Sequence, residues 1–266
     1  MDSNLTDRQR REVEYHREYA ATQASITRER VPYEIIAGGR WWNQGWEMVA
    51  ALNRGGIEGR RVLVVGCGFG TDSLLLAKMG ADVFGFDISP ESLEIAQKKA
   101  STEGAKIDFR ILPAERLDYP DQYFDVILAH DILHHVDIPA AMNELRRVAK
   151  PGARLVVNEV YTHSIPERIR RSWVVDRLFY PLVRRVIYGK KRPYITADER
   201  KLTELDIRRI TAQVTVIRRS YFNLFVMRIF PDNWRLLSKA DQIALRILGP
   251  AAALVAGRIL LECIFW

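Results

Sequence analysis

The sequence predicts an α/β fold built on a doubly wound, mostly parallel sheet. Three observations predict it. Short apolar runs of strand length alternate with helical stretches from Arg61 to Val160. The connections between them are short, as right-handed βα units require. A glycine triplet directly follows the first apolar run, where a strand turns into a helix.

Taken in order, Asp7 to Arg30 carries charges of both signs with scattered Val13, Tyr15, Tyr19 and Ile26, and predicts a mostly solvated helix lying on the body. A second helix is expected from about Trp41 to Leu52, with Trp41, Trp42 and Trp46 near its start. Strands are expected at Arg61–Val65, Asp82–Phe86, Lys106–Leu112, Phe124–Ala129 and Arg154–Val160. The helices between them fall at Asp72–Met79, at Ser89–Ser101 with Ser89 as cap and Pro90 in the first turn, and at Ile138–Ala149. Lys150-Pro151-Gly152 is expected to end the last of these. Beyond Thr162 the pattern predicts a long amphipathic helix over Ser164–Ile187 interrupted by Pro181, a strand at Gln213–Arg219, a helix at Ser238–Leu248 and a strand at Gly257–Trp266. The boundaries divide the chain into an N-terminal helical cap (1–56) and a main domain (57–266), with a basic helical insertion or lid at 163–210.

Composition narrows the class. The 266 residues are 48% hydrophobic and 27% charged, enough for a full core. Residues Met1 to Arg11 are polar, with no secretory pattern. The apolar stretch Gly249–Gly257 is too short to span a bilayer, which takes about 20 residues. Cys67 and Cys263 have no ligand neighbours at metal spacing, so neither a disulfide framework nor a metal site is expected. These features point to a cytoplasmic protein. The net charge is +7, and His163 to Arg192 alone carries nine Lys/Arg against Glu167 and Asp176, which equals that whole excess. A basic balance admits nucleic acid, an anionic membrane surface or an acidic substrate as partner.

The motif with the most chemistry is Gly66-Cys67-Gly68-Phe69-Gly70 after the first strand, with Asp87 ending the second. Backbone N–H groups at a glycine turn and helix start can cradle a ligand. An acid about 20 residues on can accept hydrogen bonds from both ribose hydroxyls. Thr71 stands where the dinucleotide fingerprint has its third glycine, and the G-x-G-x-G spacing favours adenosine joined to an amino acid over NAD.

These segments, together with VFGFDISPESLEIA, AERLDYPDQYFDVI, ILHHV and LRRVAKPGARLVV, resemble class I S-adenosylmethionine-dependent methyltransferases. The likeness is to their small-molecule branch of quinone C-methyltransferases and sugar or natural-product O-methyltransferases, over about a hundred residues. It implies a Rossmann-like, seven-stranded sheet with N-terminal helices, a helical insertion after the fifth strand, and S-adenosylmethionine as cofactor. By the resemblance, Gly66, Cys67, Gly68 and Gly70 wrap the methionine part and Asp87 holds the ribose. Ile88 packs on the adenine, Ala114 and Glu115 border its edge, and His130 also falls in the cofactor set. Two positions depart from the pattern: Val64 and Pro113 stand where the family usually has acids, so the methionine amino group needs another partner and Glu115 is the substitute at the adenine.

His134 and His135 follow the fourth strand, and a neutral imidazole can take a proton from an acceptor hydroxyl. By the resemblance, Glu159 at the end of the next strand supports them. The same histidines also fit a packing role beneath the cofactor, and His163 is a further candidate base. The apolar stripe through Val175, Leu178, Phe179, Leu182, Val183, Val186 and Ile187, flanked by Arg177, Arg184 and Arg185, reads either as a lid touching an anionic membrane or phosphorylated substrate, or as a covering helix with a solvated basic face. The tryptophans either wall an apolar pocket or anchor the N-terminal helices.

The expected function is methyl transfer to a small, largely apolar acceptor (natural product, prenyl or lipid-like), with peripheral contact to an anionic membrane. A nucleic-acid methyltransferase is the alternative the charge suggests. Against it, His130-Asp131-Ile132-Leu133 replaces the Asn/Asp-Pro-Pro-aromatic turn of amino-directed enzymes, so no nucleic acid is expected. A non-methylating cofactor-binding relative or cyclase is the other alternative, supported by the acids lost at Val64 and Pro113.

Overall fold

A computed structural model describes residues 5–22, 31–163, 200–227 and 230–266. The five central strands form where the apolar runs fall: β1 Arg61–Val65, β2 Asp82–Asp87, β3 Ile107–Ile111, β4 Phe124–His130 and β5 Ala149–Val160. Two late strands, β6 Val214–Phe222 and β7 Arg258–Phe265, complete a seven-stranded sheet of order β3-β2-β1-β4-β5-β7-β6. The pairs from β3 to β5 are all parallel, while β7 runs antiparallel to both its neighbours. Strand order reverses between β1 and β4, and a crevice opens at the carboxyl ends of such a switch point.

Strand side chains alternate between two faces, and both faces are buried. Leu63 and Val65 of β1, Ile127 and Ala129 of β4 and Leu155 and Val157 of β5 join one core. Val62, Val64, Val126, Leu128 and Val156 join the other. The first core receives Met142 and Leu145 from helix α5 (Ile138–Val148). The second receives Met48 and Leu52 from α2 (Gln44–Asn53), Leu76 from α3 (Thr71–Lys78) and Leu93 from α4 (Pro90–Thr102). The helix starts follow local chemistry. Ser89 caps α4 by accepting the Ser92 N–H at 3.1 Å, and Asp137 caps α5 by accepting the Ala140 N–H at 2.9 Å.

Helix α1 spans Asp7–Thr22, and the rest of the helix expected to Arg30 lies outside the described residues. The Lys150-Pro151-Gly152 turn belongs to β5, not to the end of a helix: Ala149 pairs with Phe124, and the register shifts before Arg154 meets Val126. Helix α6 (Glu204–Thr211) was not among the expected elements. It starts at Thr203, whose N–H donates to Asp206 at 3.0 Å. Helix α7 (Arg235–Leu248) lies between β6 and β7 in sequence and packs against β6. The expected helix over 164–187, with its stripe and flanking arginines, falls outside the described residues, as does most of the 163–210 insertion. No described helix is long and apolar enough to cross a membrane.

Candidate functional site

A cavity of about 300 Å³ opens at the carboxyl ends of β1 to β4, at the switch point of the sheet. Gly66 and Gly68 form its floor after β1, Asp87 and Ile88 continue it after β2, and Ala114 and Glu115 border it after β3. Asp131, Ile132 and His135 close it after β4. Gly66 has φ 59°, and a Cβ there would sit 2.5 Å from the Ile132 side chain. Gly68 has φ 50° with nothing within 4 Å of a would-be Cβ, so its backbone faces open space. Gly70 plays a different part: its φ is 79° and a Cβ would meet the Ala96 Cβ at 2.9 Å, so it brings α3 close to α4. Neither Gly70 nor Cys67 lines the cavity. Cys67 is buried, and that burial pushes its thiol well above its ordinary value, so it is a core side chain and not a nucleophile.

Asp87 is buried and pinned by the turn around it. One carboxylate oxygen accepts the Gly68 N–H at 2.8 Å and the other the Ser89 N–H at 2.9 Å. Each oxygen keeps acceptor capacity toward the cavity it lines. Glu115 accepts the Asp137 N–H at 3.0 Å and the Gln9 amide at 2.9 Å. Val64, at the position of the family's acid, is 2% exposed in the second core, while Pro113 lines the cavity.

The histidines separate into two environments. His134 is 3% exposed, and its Nδ1 lies 2.7 Å from Glu159, whose side chain has no exposure. Glu159 also accepts the backbone N–H groups of Ile132 at 2.8 Å and Leu133 at 2.6 Å. Neither His134 nor Glu159 lines the cavity. His135 does, and its Nδ1 lies 3.1 Å from Glu12 of α1. A carboxylate only accepts, so Glu12 selects the tautomer with the proton on Nδ1 and leaves Nε2 as a lone pair. His130 is half-buried with Nδ1 2.7 Å from Asp72. Burial opposes its protonated form, yet the Asp72 carboxylate outweighs that and raises its pKa. His163 lies apart, 4.0 Å from Glu204, and does not line the cavity.

Helix α1 roofs the cavity with Gln9, Glu12 and His16. Arg8 donates to the His134 carbonyl at 2.6 Å, and Arg17 to Glu91 at 3.0 Å. Glu12 is 6% exposed. Burial raises its pKa, but the hydrogen bond from His135 and the charges of His135, His16 and Arg8 outweigh this and hold the carboxyl below its ordinary value. The sequence reading missed Glu12 and Gln9, because one charged residue among many in Asp7–Arg30 carries no mark of docking. Asp131 stood beside the histidine pair in the sequence without an assigned role. That residue sits at φ 53° after β4 and pairs with Arg258 at 2.7 Å. Its carboxyl is held low although burial pushes it up, chiefly by Arg258 and His130.

Asp131, His134 and Glu159 each bring one atom able to ligate a metal, all within 4.8 Å of one another. Those acids are already engaged by Arg258 and by the backbone N–H groups of Ile132 and Leu133, so the cluster is a braced polar wall. The tryptophans lie elsewhere. Trp41 is covered by Arg246 at 4.3 Å and Trp42 by Lys239 at 4.6 Å, both from α7, and none of the three lines the cavity.

Residues 63–157 match the family model described as methyltransferase domain. The segment holds the glycine turn, Asp87 and the histidine pair. By that likeness residues 63–157 form a methyltransferase domain. The chain is 38% identical over 128 residues to the ubiquinone biosynthesis O-methyltransferase of Bordetella parapertussis, covering 42% of this chain and 53% of that protein. The chain thus spans about half the length of the curated relatives it matches. Among solved structures, magnesium protoporphyrin IX methyltransferase from Synechocystis PCC 6803 with bound S-adenosylhomocysteine superposes with a TM-score of 0.59 at 16% identity, covering 98% of this chain and 100% of that one. Geranyl diphosphate C-methyltransferase from Streptomyces coelicolor A3(2), solved with Mg2+, geranyl diphosphate and S-adenosylhomocysteine, superposes with a TM-score of 0.57 at 12% identity, covering 84% and 81%. At these identities the likeness is one of fold. The glycine turn, the buried acid and the cavity beside them fit S-adenosylmethionine.

Proposed function

We propose that the protein transfers a methyl group from S-adenosylmethionine to oxygen or carbon of a small, largely apolar acceptor: a natural product, a prenyl compound or a lipid-like molecule. The observation that carries this reading is one cavity lined by both Asp87 and His135 together with the apolar Phe69, Phe86, Ile88, Leu112, Ile132 and Val136. The name of the Bordetella relative, ubiquinone biosynthesis O-methyltransferase, supports an acceptor of this kind.

When bound, the cofactor supplies a methyl group made electrophilic by a positively charged sulfur. Gly66 and Gly68 would hold its methionine end, Asp87 its ribose, and Ile88, Ala114 and Glu115 its adenine. Asp131 takes over the amino-group contact that an acid at Val64 provides in the family. His135 is the base: its Nε2 would accept the proton of an acceptor hydroxyl as the oxygen–methyl bond forms and the sulfur–methyl bond breaks, S-adenosylhomocysteine leaving, and the Glu12 carboxylate would stabilise the resulting imidazolium. His134 and Glu159 brace the turn that carries His135. In-line alignment of acceptor and methyl group supplies the remaining rate. We further read the protein as cytoplasmic and in peripheral contact with an anionic membrane surface, where an apolar acceptor resides.

The test is methyl transfer from labelled cofactor to a panel of matched apolar and polar acceptors. Apolar hydroxyl or prenyl acceptors are expected to be preferred. His135→Ala is expected to lower turnover of hydroxyl acceptors on the order of 10²–10⁴-fold with cofactor affinity little changed. Preference for small hydrophilic acceptors, or full turnover in His135→Ala, refutes the reading.

A further inference from the structure

Helix α7 is inside out. A helix on a globular surface turns its apolar stripe inward, yet the residues α7 buries include Ser238, Asp241 and Gln242, with Leu245 as the one large apolar exception. Those polar groups hold the segment after β6. Asp241 accepts the N–H groups of Leu224 at 3.1 Å and Phe225 at 2.6 Å, the Gln242 amide donates to the Tyr221 carbonyl at 3.1 Å, and the Ser238 hydroxyl to the Asp232 carbonyl at 3.0 Å. With the polar side consumed inside, the apolar side faces out. Leu236 is 83% exposed and Ile247 81%, with Ile243 at 47% between them. Positions 236, 243 and 247 fall on one helical stripe. Trp234, just before the helix, is also exposed. Single exposed apolar residues are ordinary, but a contiguous stripe of this kind marks a surface that is covered in use.

We propose that α7 is an in-plane membrane helix, docking the protein on an anionic lipid bilayer through Leu236, Ile243 and Ile247. The proposal deepens the membrane contact read above, names a surface for it, and is independent of which acceptor is methylated. Charge selects the occupant. Arg235, Lys239 and Arg246 border the stripe, and Asp241, the helix's own acid, is buried and engaged. Lys239 and Arg246 lie over Trp42 and Trp41, which holds two of these cations at the flank of the stripe and off its apolar centre. An apolar stripe edged with cations matches the interface of an anionic leaflet. A second copy packed stripe to stripe brings the same three cations against themselves. Fourteen residues also suit a helix lying in the interface and fall short of a span.

The test is flotation of the whole protein with vesicles of phosphatidylcholine alone and of phosphatidylcholine with phosphatidylglycerol. Parent protein is expected to float with the anionic vesicles. Replacing Arg235, Lys239 and Arg246 by Gln weakens this by about fivefold per charge. Leu236→Glu/Ile247→Glu is expected to weaken it on the order of 10²-fold, while Tm and cofactor affinity stay at parent values because both positions lie on the outer face. Trp234 emission shifts to the blue on the vesicles, read as the difference from Trp234→Phe. Equal flotation of parent and Leu236→Glu/Ile247→Glu overturns the assignment to α7 while leaving a membrane contact elsewhere. A parent that ignores anionic vesicles overturns both the assignment and the membrane reading. A parent that sediments as a dimer, and becomes a monomer in the double variant, gives the stripe to a second copy and overturns the proposal as well. In none of these outcomes is methyl transfer at stake.

Discussion

Replacing Glu159 by Ala removes the acceptor for three donors at once: the Ile132 N–H at 2.8 Å, the Leu133 N–H at 2.6 Å and His134 Nδ1 at 2.7 Å. The side chain has no surface exposure, so water does not simply replace it. An unsatisfied buried donor costs about 1–3 kcal/mol. Three donors on one turn do not add independently, and truncation of one partner in a buried charged cluster costs about 3–5 kcal/mol. That range consumes a large part of a typical stability of roughly 5–15 kcal/mol. Glu159→Gln is milder, about 1–2 kcal/mol, because its amide oxygen still accepts the two backbone N–H groups while its NH2 meets the His134 ring in the other tautomer. Urea unfolding followed by circular dichroism reads the difference as a midpoint shift of about 1–2 M for the Ala variant at an m near 2–3 kcal/mol/M. An Ala variant with an unchanged midpoint refutes the bracing role. A Gln variant of parent stability whose turnover falls 10²-fold or more moves Glu159 into the chemistry.

Two further outcomes follow from the same geometry. Gly70→Ala places a Cβ 2.9 Å from the Ala96 Cβ at φ 79°, and is expected to lower stability by about 1–3 kcal/mol, read as a fall in Tm. Glu12, held below its ordinary value of 4.5 in the folded protein, contributes stability that is fully present above 4.5 and lost as pH falls through the lower folded value. Hydrogen-exchange protection of α1 therefore declines below pH 4.5 in the parent, whereas Glu12→Gln is expected to show weaker protection at neutral pH and little further change on acidification.

The central sheet was legible because strands buried on both faces read as short apolar runs, and because Ser89, Pro90 and the glycine turn mark helix starts directly. The antiparallel β7 was legible as a strand, and the resemblance supplied the seven-stranded architecture. What pairwise chemistry decides was not. Glu12 looks like any surface acid of a mixed-charge helix until α1 is laid over His135. His134 and His135 are neighbours with equal claims in sequence, and only the direction of the short turn Leu133–His135 sends one to Glu159 and the other to the cavity. Helix α7 was legible as a helix, but nothing in its sequence told which face turns inward. The hydrogen bonds of Asp241 and Gln242 decide it by drawing the polar face inward. Helix α6 carried a readable signal in Thr203 followed by Asp206.

The most direct test of the account is calorimetric titration of S-adenosylmethionine, S-adenosylhomocysteine and NAD into the parent and into Asp87→Ala. The account predicts that the parent binds the first two and not NAD. It also predicts that loss of the buried acid weakens that binding by about 10- to 150-fold, the equivalent of one strong charge-assisted hydrogen bond of about 1.5–3 kcal/mol. Preferential binding of NAD, or unchanged affinity in Asp87→Ala at parent stability, contradicts it.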